Sequence, residues 1–391
     1  MPTAVALHAV QTPAKVSLSS AAATAAPVCF VVLHGFLAHS GAMNTFVGML
    51  RNALDAHNRV AMEAKDQTSR VLPFHITTLD ARNHGLSPHT PTHTLDDLVT
   101  DLSHYLQHDL PATTSHVAAL GPGRFTGPHH PRCPRVVGIG HSMGSMTWTR
   151  YLMDRQVPSS SSSAVDKGGA AAAEVVGLVS LDMPPVVRSH MSPELTSELI
   201  DIIERMKAVN MDAIHDLRSG QEEFLRSGMQ DIRVRGLCTT NLALRPVHAR
   251  DPAQRVAAWK CNLPVLEHSM RSKQLFFSDS YYKEERCAAL AAAAAATGNR
   301  DGATSRHERT RQWSQGQYAL QHPTVGTVPV LSVLGADSPI GGQEQYKQLW
   351  ERYAADLRQH TLPQATHTVY FDKPRETIEC IMDFLKEIHM L

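Results

Sequence analysis

A few short runs constrain the fold most. VCFVVLHG (28–35), RVVGIG (135–140) and VVGLVSLDM (175–183) are predominantly apolar and rich in β-branched residues. A strand with one wet face alternates apolar and polar side chains, whereas an uninterrupted apolar run fits a strand buried on both faces. HITTLDARNHG (75–85) follows the same plan, a β-branched strand that runs into a polar, Gly-closed loop. Helical spacing fills the gaps. AMNTFVGMLRNALDAH carries Met43, Phe46, Met49, Leu50 and Leu54 at helical intervals, LDDLVTDLSHYL (95–106) is a second amphipathic segment, and SMGSMTWTRYLMD reads as a third. Strands that alternate with helices imply a parallel sheet covered on both faces. TAVALHAVQ, near the N-terminus, reads as a first strand.

After LDMPPV the pattern changes. From about Val187 to Pro323 the sequence predicts helices and loops with no strong strand. SPELTSELIDIIERMKAVN is the clearest helix, with Ser192 as N-cap, Pro193 at N1 and a stripe through Leu195, Leu199, Ile202, Ile203, Met206 and Val209. The stripe reads first as core and second as pocket lining. Strand character returns at VPVLSVLGAD (328–337), and the chain closes with HTVYF and the amphipathic PRETIECIMDFLKEI. The expected organisation is a core domain from 1–186 and 324–391, interrupted by a helical cap from 187–323. Such an insertion would sit over the carboxyl ends of the strands, where open α/β sheets bind ligands. Low-complexity segments at 121–134, 159–173 and 288–311 read as surface loops, His129 and His130 included. HYLQHD (104–109) matches a His-x4-Asp acyltransferase pattern by letters but falls at the end of an exposed helix.

Composition excludes some partners. Lys+Arg and Asp+Glu are equal at 37 each, so no electrostatic reason points to nucleic acid or an anionic membrane. No run approaches the roughly 18 apolar residues of a spanning helix, so no integral membrane segment is expected. The six cysteines are scattered without a C-x-x-C pair, which fits reduced thiols in an intracellular protein better than disulfides or a zinc site. The N-terminus is free of acidic residues until Asp55 and rich in Ala, Ser and Thr, but only Lys15 and Arg51 are basic there. A cytoplasmic or a mitochondrial location fits this pattern. The sequence does not address oligomeric state.

The chemistry centres on Gly140-His141-Ser142-Met143-Gly144. This G-x-S-x-G follows an apolar strand and opens a helix, the setting a nucleophile elbow requires. A serine hydroxyl at neutral pH needs a base, and in this architecture the base follows the last strand. LPQATHTVYFDKP puts His367 there, just before the final helix. Oxyanion stabilisation needs backbone N–H donors: Met143 follows the nucleophile, and Phe36 stands behind the His34-Gly35 turn. His34 itself reads as a brace for that loop. Two aspartates compete as the acid. Asp337, in LGADSP, sits after the penultimate strand but one residue short of the expected spacing, where Ser338 stands. Asp182, in VSLDMPP, ends the strand after the nucleophile helix and is the favoured member.

These residues resemble the α/β-hydrolases, and within them the abhydrolase domain-containing protein 11 group and related bacterial esterases. The matching stretches are VVLHGFLAHSGAMNTF, TLDARNHGLSPHTP, VVGIGHSMGSMTW, LVSLDMPPV, DIRVRGLCTTNL, PVLSVLGADSP and ATHTVYFDKPRETIECIMDFL. DARNHGLSPH and LDMPPV are the specific ones, and GHSMG is shared far more widely. The resemblance implies an α/β-hydrolase fold, a mostly parallel sheet with helices on both faces and a helical cap insertion. It implies an ester or thioester hydrolase acting on acyl or lipid-like small molecules, with no cofactor and no metal. It supports Asp182, because the group resembles enzymes with a non-acidic residue at the usual acid position, here Ser338. Some members act in mitochondria, which keeps import open. Ser145 and Thr366 stand where smaller residues are usual, and both are expected to add side chains near the pocket. The alternative reading is a non-catalytic binding or scaffold protein on the same fold, against which all the triad letters survive. Ser142 in place of a carboxylate disfavours dehalogenase or epoxide-hydrolase chemistry.

Overall fold

Period-two alternation assigns each side chain of a strand to one face of its sheet. The computed structural model describes residues 2–16, 27–64, 71–111, 134–156, 173–248, 251–278, 325–347 and 349–391. Its main sheet contains β1 (Ala9–Pro13), β2 (Val28–Leu33), β3 (Phe74–Leu79), β4 (Arg135–His141) and β5 (Glu174–Leu181). After an insertion that carries β6 (Leu242–His248) and β7 (Asp251–Trp259), it gains β8 (Val330–Gly335) and β9 (Leu357–Leu362). The seven strands run in the order β1-β3-β2-β4-β5-β8-β9. All neighbours pair in parallel except β1, which lies antiparallel against β3. The low-complexity residues 121–133, 159–172 and 288–311 lie outside the described residues, and so do His129 and His130.

The central strand β2 shows why its run has no polar gap. Val28, Phe30 and Val32 join a cluster with helix α1 (Asn44–Glu63), through Phe46, Leu50 and Leu54. Cys29, Val31 and Leu33 join the opposite cluster, with α2 (Leu95–His104) and α3 (Met143–Gln156). Each face is covered, so each face is apolar. Fully burying one side chain such as Phe46 contributes roughly 1.5–3 kcal/mol, which is why the covered faces outweigh local propensity.

The insertion contributes α4 (Pro193–Lys207), α5 (Leu217–Arg226), α6 (Ile232–Asn241) and α7 (Leu263–Arg271). α4 opens as its sequence predicts, with Ser192 Oγ accepting the N–H of Leu195 at 3.3 Å. β6 and β7 correct the expectation that this region holds no strand, since they pair as an antiparallel hairpin. The hairpin is hard to see in sequence because Pro246 and Pro252 withhold ladder donors and basic residues interrupt the alternation. The insertion is tied to loops at the carboxyl ends of the strands. Asn241 Nδ2 donates to the carbonyl of Leu37 at 2.5 Å, His39 Nε2 donates to that of Thr240 at 2.7 Å, and Asn262 N–H donates to that of Asn83 at 2.9 Å.

Two edges differ from their sequence signals. β1 begins at Ala9, later than TAVALHAVQ suggests, and pairs by way of Ala9–Pro13. β9 is an edge strand with polar, partly exposed residues, so it lacks the apolar run of the central strands. HTVYF falls largely in a short helical turn, Val369–Asp372, before α8 (Pro374–Glu387). Among the described residues no helix is long and apolar enough to cross a membrane. Cys29, Cys238, Cys261 and Cys380 are free.

Candidate active site

Ser142 occupies the sharp turn between β4 and α3, with φ 51°. A non-glycine residue pays for that left-handed conformation, and the surroundings hold it there. Its N–H donates to the carbonyl of Leu181 at 3.2 Å, and its own carbonyl accepts the N–H of Met146 at 3.1 Å. The flanking glycines are steric requirements. A Cβ on Gly140 would lie 2.4 Å from the backbone nitrogen of Ser145, and one on Gly144 would lie 2.4 Å from the carbonyl oxygen of Leu33. Met143 is the first residue of α3, so its N–H is among those that no carbonyl of the helix takes.

His367 lies in the loop between β9 and α8. Its Nδ1 donates to Asp182 Oδ2 at 2.7 Å. Asp182 follows β5 directly, with φ 52°, and is completely buried. Its other oxygen accepts the N–H of Gly335 at 2.7 Å, and Ser338 Oγ donates to Oδ2. Burial raises the pKa of Asp182, while the bonds from His367, Ser338 and Gly335 pull the other way by favouring the carboxylate. Asp337 is exposed, and its N–H donates to the carbonyl of Ala365 at 2.9 Å. The residue at the usual acid position, Ser338, is therefore bonded to the aspartate that faces the histidine.

Neutral histidines brace the loops around the serine. His34 donates from Nδ1 to the carbonyl of Gly35 at 2.7 Å and accepts the N–H of Ala81 on Nε2 at 3.0 Å. His84 donates from Nδ1 to the carbonyl of Arg82 at 3.0 Å and accepts the N–H of Leu37 on Nε2 at 3.2 Å. An imidazolium has no nitrogen left to accept, so both bonds hold only in the neutral ring. Burial, the largest cause, lowers the pKa of both. The Gly35 carbonyl also accepts the N–H of Ala38 at 3.1 Å. In a trans peptide the N–H points opposite the carbonyl, so the N–H of Phe36 faces away from these donors.

His141, the second letter of the elbow motif, donates from Nε2 to the backbone carbonyl of His367 at 2.9 Å. Its ring stands 4.9 Å from that of His367 and 4.9 Å from that of Tyr370. Burial lowers its pKa to about 3. His93 is equally buried and is also brought to about 3, with Nε2 3.3 Å from Met143 Sδ. Sequence reasoning singled out neither His84 nor His141 nor His93. The only signal for His141 was its place beside the serine, because its partner lies 226 residues away.

A cavity of ≈ 360 Å³ opens at this centre. Phe36, Ser142, His367 and Tyr370 line it from the sheet side, and Leu195, Leu199, Val234 and Leu237 line it from the insertion. Glu198, Asp231, Arg233 and Asp337 complete its wall. Of the α4 stripe, Leu195 and Leu199 reach the cavity, while Ile202 and Met206 belong to the buried core. Thr366 lines the cavity as expected, and its hydroxyl donates to Asp372 Oδ2 at 2.5 Å. Ser145 departs from expectation. It is fully buried away from the cavity, and its Oγ donates to the Gly140 carbonyl at 2.5 Å, which tightens the elbow from within. His104 and Asp109 of the HYLQHD segment lie 3.7 Å apart and do not line the cavity.

A mostly parallel sheet wrapped by helices, with a strained serine between strand and helix, is the architecture of the α/β hydrolases. The chain belongs to the alpha/beta hydrolase family, which its residues 30–379 match. The same fold recurs in solved structures. An esterase from a marine microorganism superposes with a TM-score of 0.60 at 15% identity, over 98% of this chain and 100% of its own. E-2-(acetamidomethylene)succinate hydrolase does so with a TM-score of 0.52 at 13% identity, over 97% and 95%. A carboxylesterase structure from the ammonia-oxidizing thaumarchaeon Nitrososphaera gargenis gives 0.50 at 11% identity, over 98% and 95%.

Proposed function

We propose that the protein is a serine hydrolase that cleaves carboxylic esters or thioesters through an acyl-enzyme. The observation that carries this reading is the 2.7 Å bond from His367 Nδ1 to buried Asp182, on a cavity that Ser142 and His367 both line. With Nδ1 carrying its proton toward Asp182, Nε2 is the nitrogen free to act as base. Ser142 Oγ adds to the acyl carbon while Nε2 takes the hydroxyl proton. The negative charge that forms on the carbonyl oxygen meets the N–H groups of Phe36 and Met143, and the positive end of α3. Collapse of that intermediate breaks the bond to the alcohol or thiol, which leaves with the proton from Nε2. Water then repeats the sequence: His367 takes its proton, the hydroxyl adds to the acyl carbon, and Ser142 departs reprotonated. Asp182 orients the imidazole and stabilises its positive charge in both halves. The insertion serves as a cap whose leucines and valine receive the acyl group.

A fluorophosphonate probe tests the reading. Folded protein is expected to label on Ser142 and to lose the label in Ser142→Ala. Labelling that persists in the variant, or none in the folded wild-type chain, would overturn it.

A further inference from the structure

The cavity wall is not uniform, and its chemistry bears on what enters. The deep part is apolar, through Phe36, Leu195, Leu199, Val234, Leu237 and Tyr370. The charged residues of the wall are all exposed, and among them Glu198, Asp231 and Asp337 outnumber the single guanidinium of Arg233. That guanidinium is committed. Arg233 Nη2 lies 3.0 Å from Asp231 Oδ2, and Glu198 and Asp372 add to the field that favours its charged form. Asp231 in turn caps α6, accepting the N–H of Arg233 at 2.7 Å. Among the described residues the rim therefore carries more carboxylates than cations, and its one guanidinium already faces Asp231. Two exposed apolar side chains adjoin lining residues in sequence, Ile232, 73% exposed between Asp231 and Arg233, and Phe371, 68% exposed next to Tyr370.

Resting on the hydrolase reading above, we propose that this entrance selects neutral, apolar acyl substrates and rejects polyanionic thioesters such as acyl-coenzyme A. A coenzyme A thioester carries several phosphate charges at the far end of its pantetheine arm, on the solvent side of the mouth that its acyl chain enters. Phosphate recognition relies on cations able to make charge-assisted bonds. Here the phosphates meet a rim in which carboxylates outnumber the one guanidinium, and that imbalance repels the arriving polyanion. The apolar wall and the two flanking side chains favour an uncharged acyl group and an uncharged leaving group.

The test holds the reacting thioester fixed and changes the leaving thiol from small and neutral to large and polyanionic; salt and rim variants then separate charge from size. S-butyryl-N-acetylcysteamine and butyryl-coenzyme A carry the same thioester, the first neutral and the second polyanionic. At low salt kcat/KM is expected to favour the neutral substrate by about tenfold or more. The gap should narrow as sodium chloride screens the rim, and it should narrow again in the double variant Glu198→Gln, Asp337→Asn. Equal or preferred turnover of butyryl-coenzyme A overturns the inference. So does a gap that neither salt nor the double variant changes, because the discrimination would then be steric. In either case turnover of the neutral thioester leaves the hydrolase reading standing. Failure to turn over either substrate, together with absent Ser142 labelling, overturns both.

Discussion

On the sheet side of the cavity, apart from exposed Asp337, the polar groups are largely buried and bonded to backbone or to one another. Asp182 has bonds from His367, Gly335 and Ser338, and His34, His84 and His141 each engage a main-chain carbonyl. On the insertion side the charges are exposed and pair locally, as Asp231 and Arg233 do within one helix end. The difference is energetic. Removing one partner of a buried, bonded charge leaves an uncompensated group and costs several kcal/mol. An exposed ion pair is worth about 0–1 kcal/mol. The first wall suits a fixed geometry, and the second can rearrange at little cost.

Substitutions should separate buried, bonded groups from exposed ones most sharply at two acids that both follow strands of the main sheet. Asp182→Asn is expected to lower kcat about 10⁴-fold, by analogy with loss of the orienting acid in other triads. Asp337→Asn should stay within about threefold on the same p-nitrophenyl butyrate assay, since Asp337 is exposed and Asp182 holds the histidine. An equal loss at both positions would break the comparison.

Acid should act next, and on the sheet side alone. His93 and His141 have folded pKa values lowered from 6.5 to about 3. The unfolded chain protonates first as pH falls, so the stability these rings contribute is complete above 6.5 and declines toward about 3. Each adds roughly 1.4 kcal/mol of loss per pH unit in that window. Urea midpoints between about pH 7 and pH 5 should therefore fall steeply, and His93→Phe should make the dependence shallower. A slope untouched by that change would mean that other groups govern acid unfolding.

A smaller effect is expected for His141→Ala, which frees the backbone of His367 without removing the proposed base. Misplacement of that order costs about 10–100-fold in rate, so kcat should drop while KM stays within about twofold. His141→Gln, which keeps a donor, should recover part of the loss. Equal rates in the two variants would remove the bond to His367 from the explanation. Least of all, Arg233→Ala should change folding stability by no more than about 0.5 kcal/mol, as judged by thermal or urea unfolding.

The sequence revealed the parts that local chemistry dictates. Continuous apolar runs disclosed the central strands because both faces are covered, while β9 and the β6–β7 hairpin stayed hidden because edge exposure and prolines erase that signal. Ser142 was legible from its motif, and His367 from its place before the last helix. The broken spacing at Gly335 and Ser338 pointed toward Asp182. What the sequence lacked was distance-spanning information. Nothing local announces that Ser338 bonds Asp182, 156 residues away, or which nitrogen of each buried histidine carries its proton. The side chain of Ser145 was misread for a related reason: a residue letter beside an elbow does not disclose which way it turns.

The contact between Gly35 and His141 has a consequence for how such a chain can change. A Cβ at position 35 would lie 2.4 Å from His141 Nδ1, and that ring is wedged against His367 and Tyr370. Positions 35, 141 and 367 come from two loops and the end of β4 yet meet in one place. They form a linked unit: a side chain gained at 35 requires the ring at 141 to move or be replaced, and a replacement holds the backbone of His367 only if it keeps a donor. Change at position 35 is therefore coupled to change at 141 and, through it, to the placement of His367.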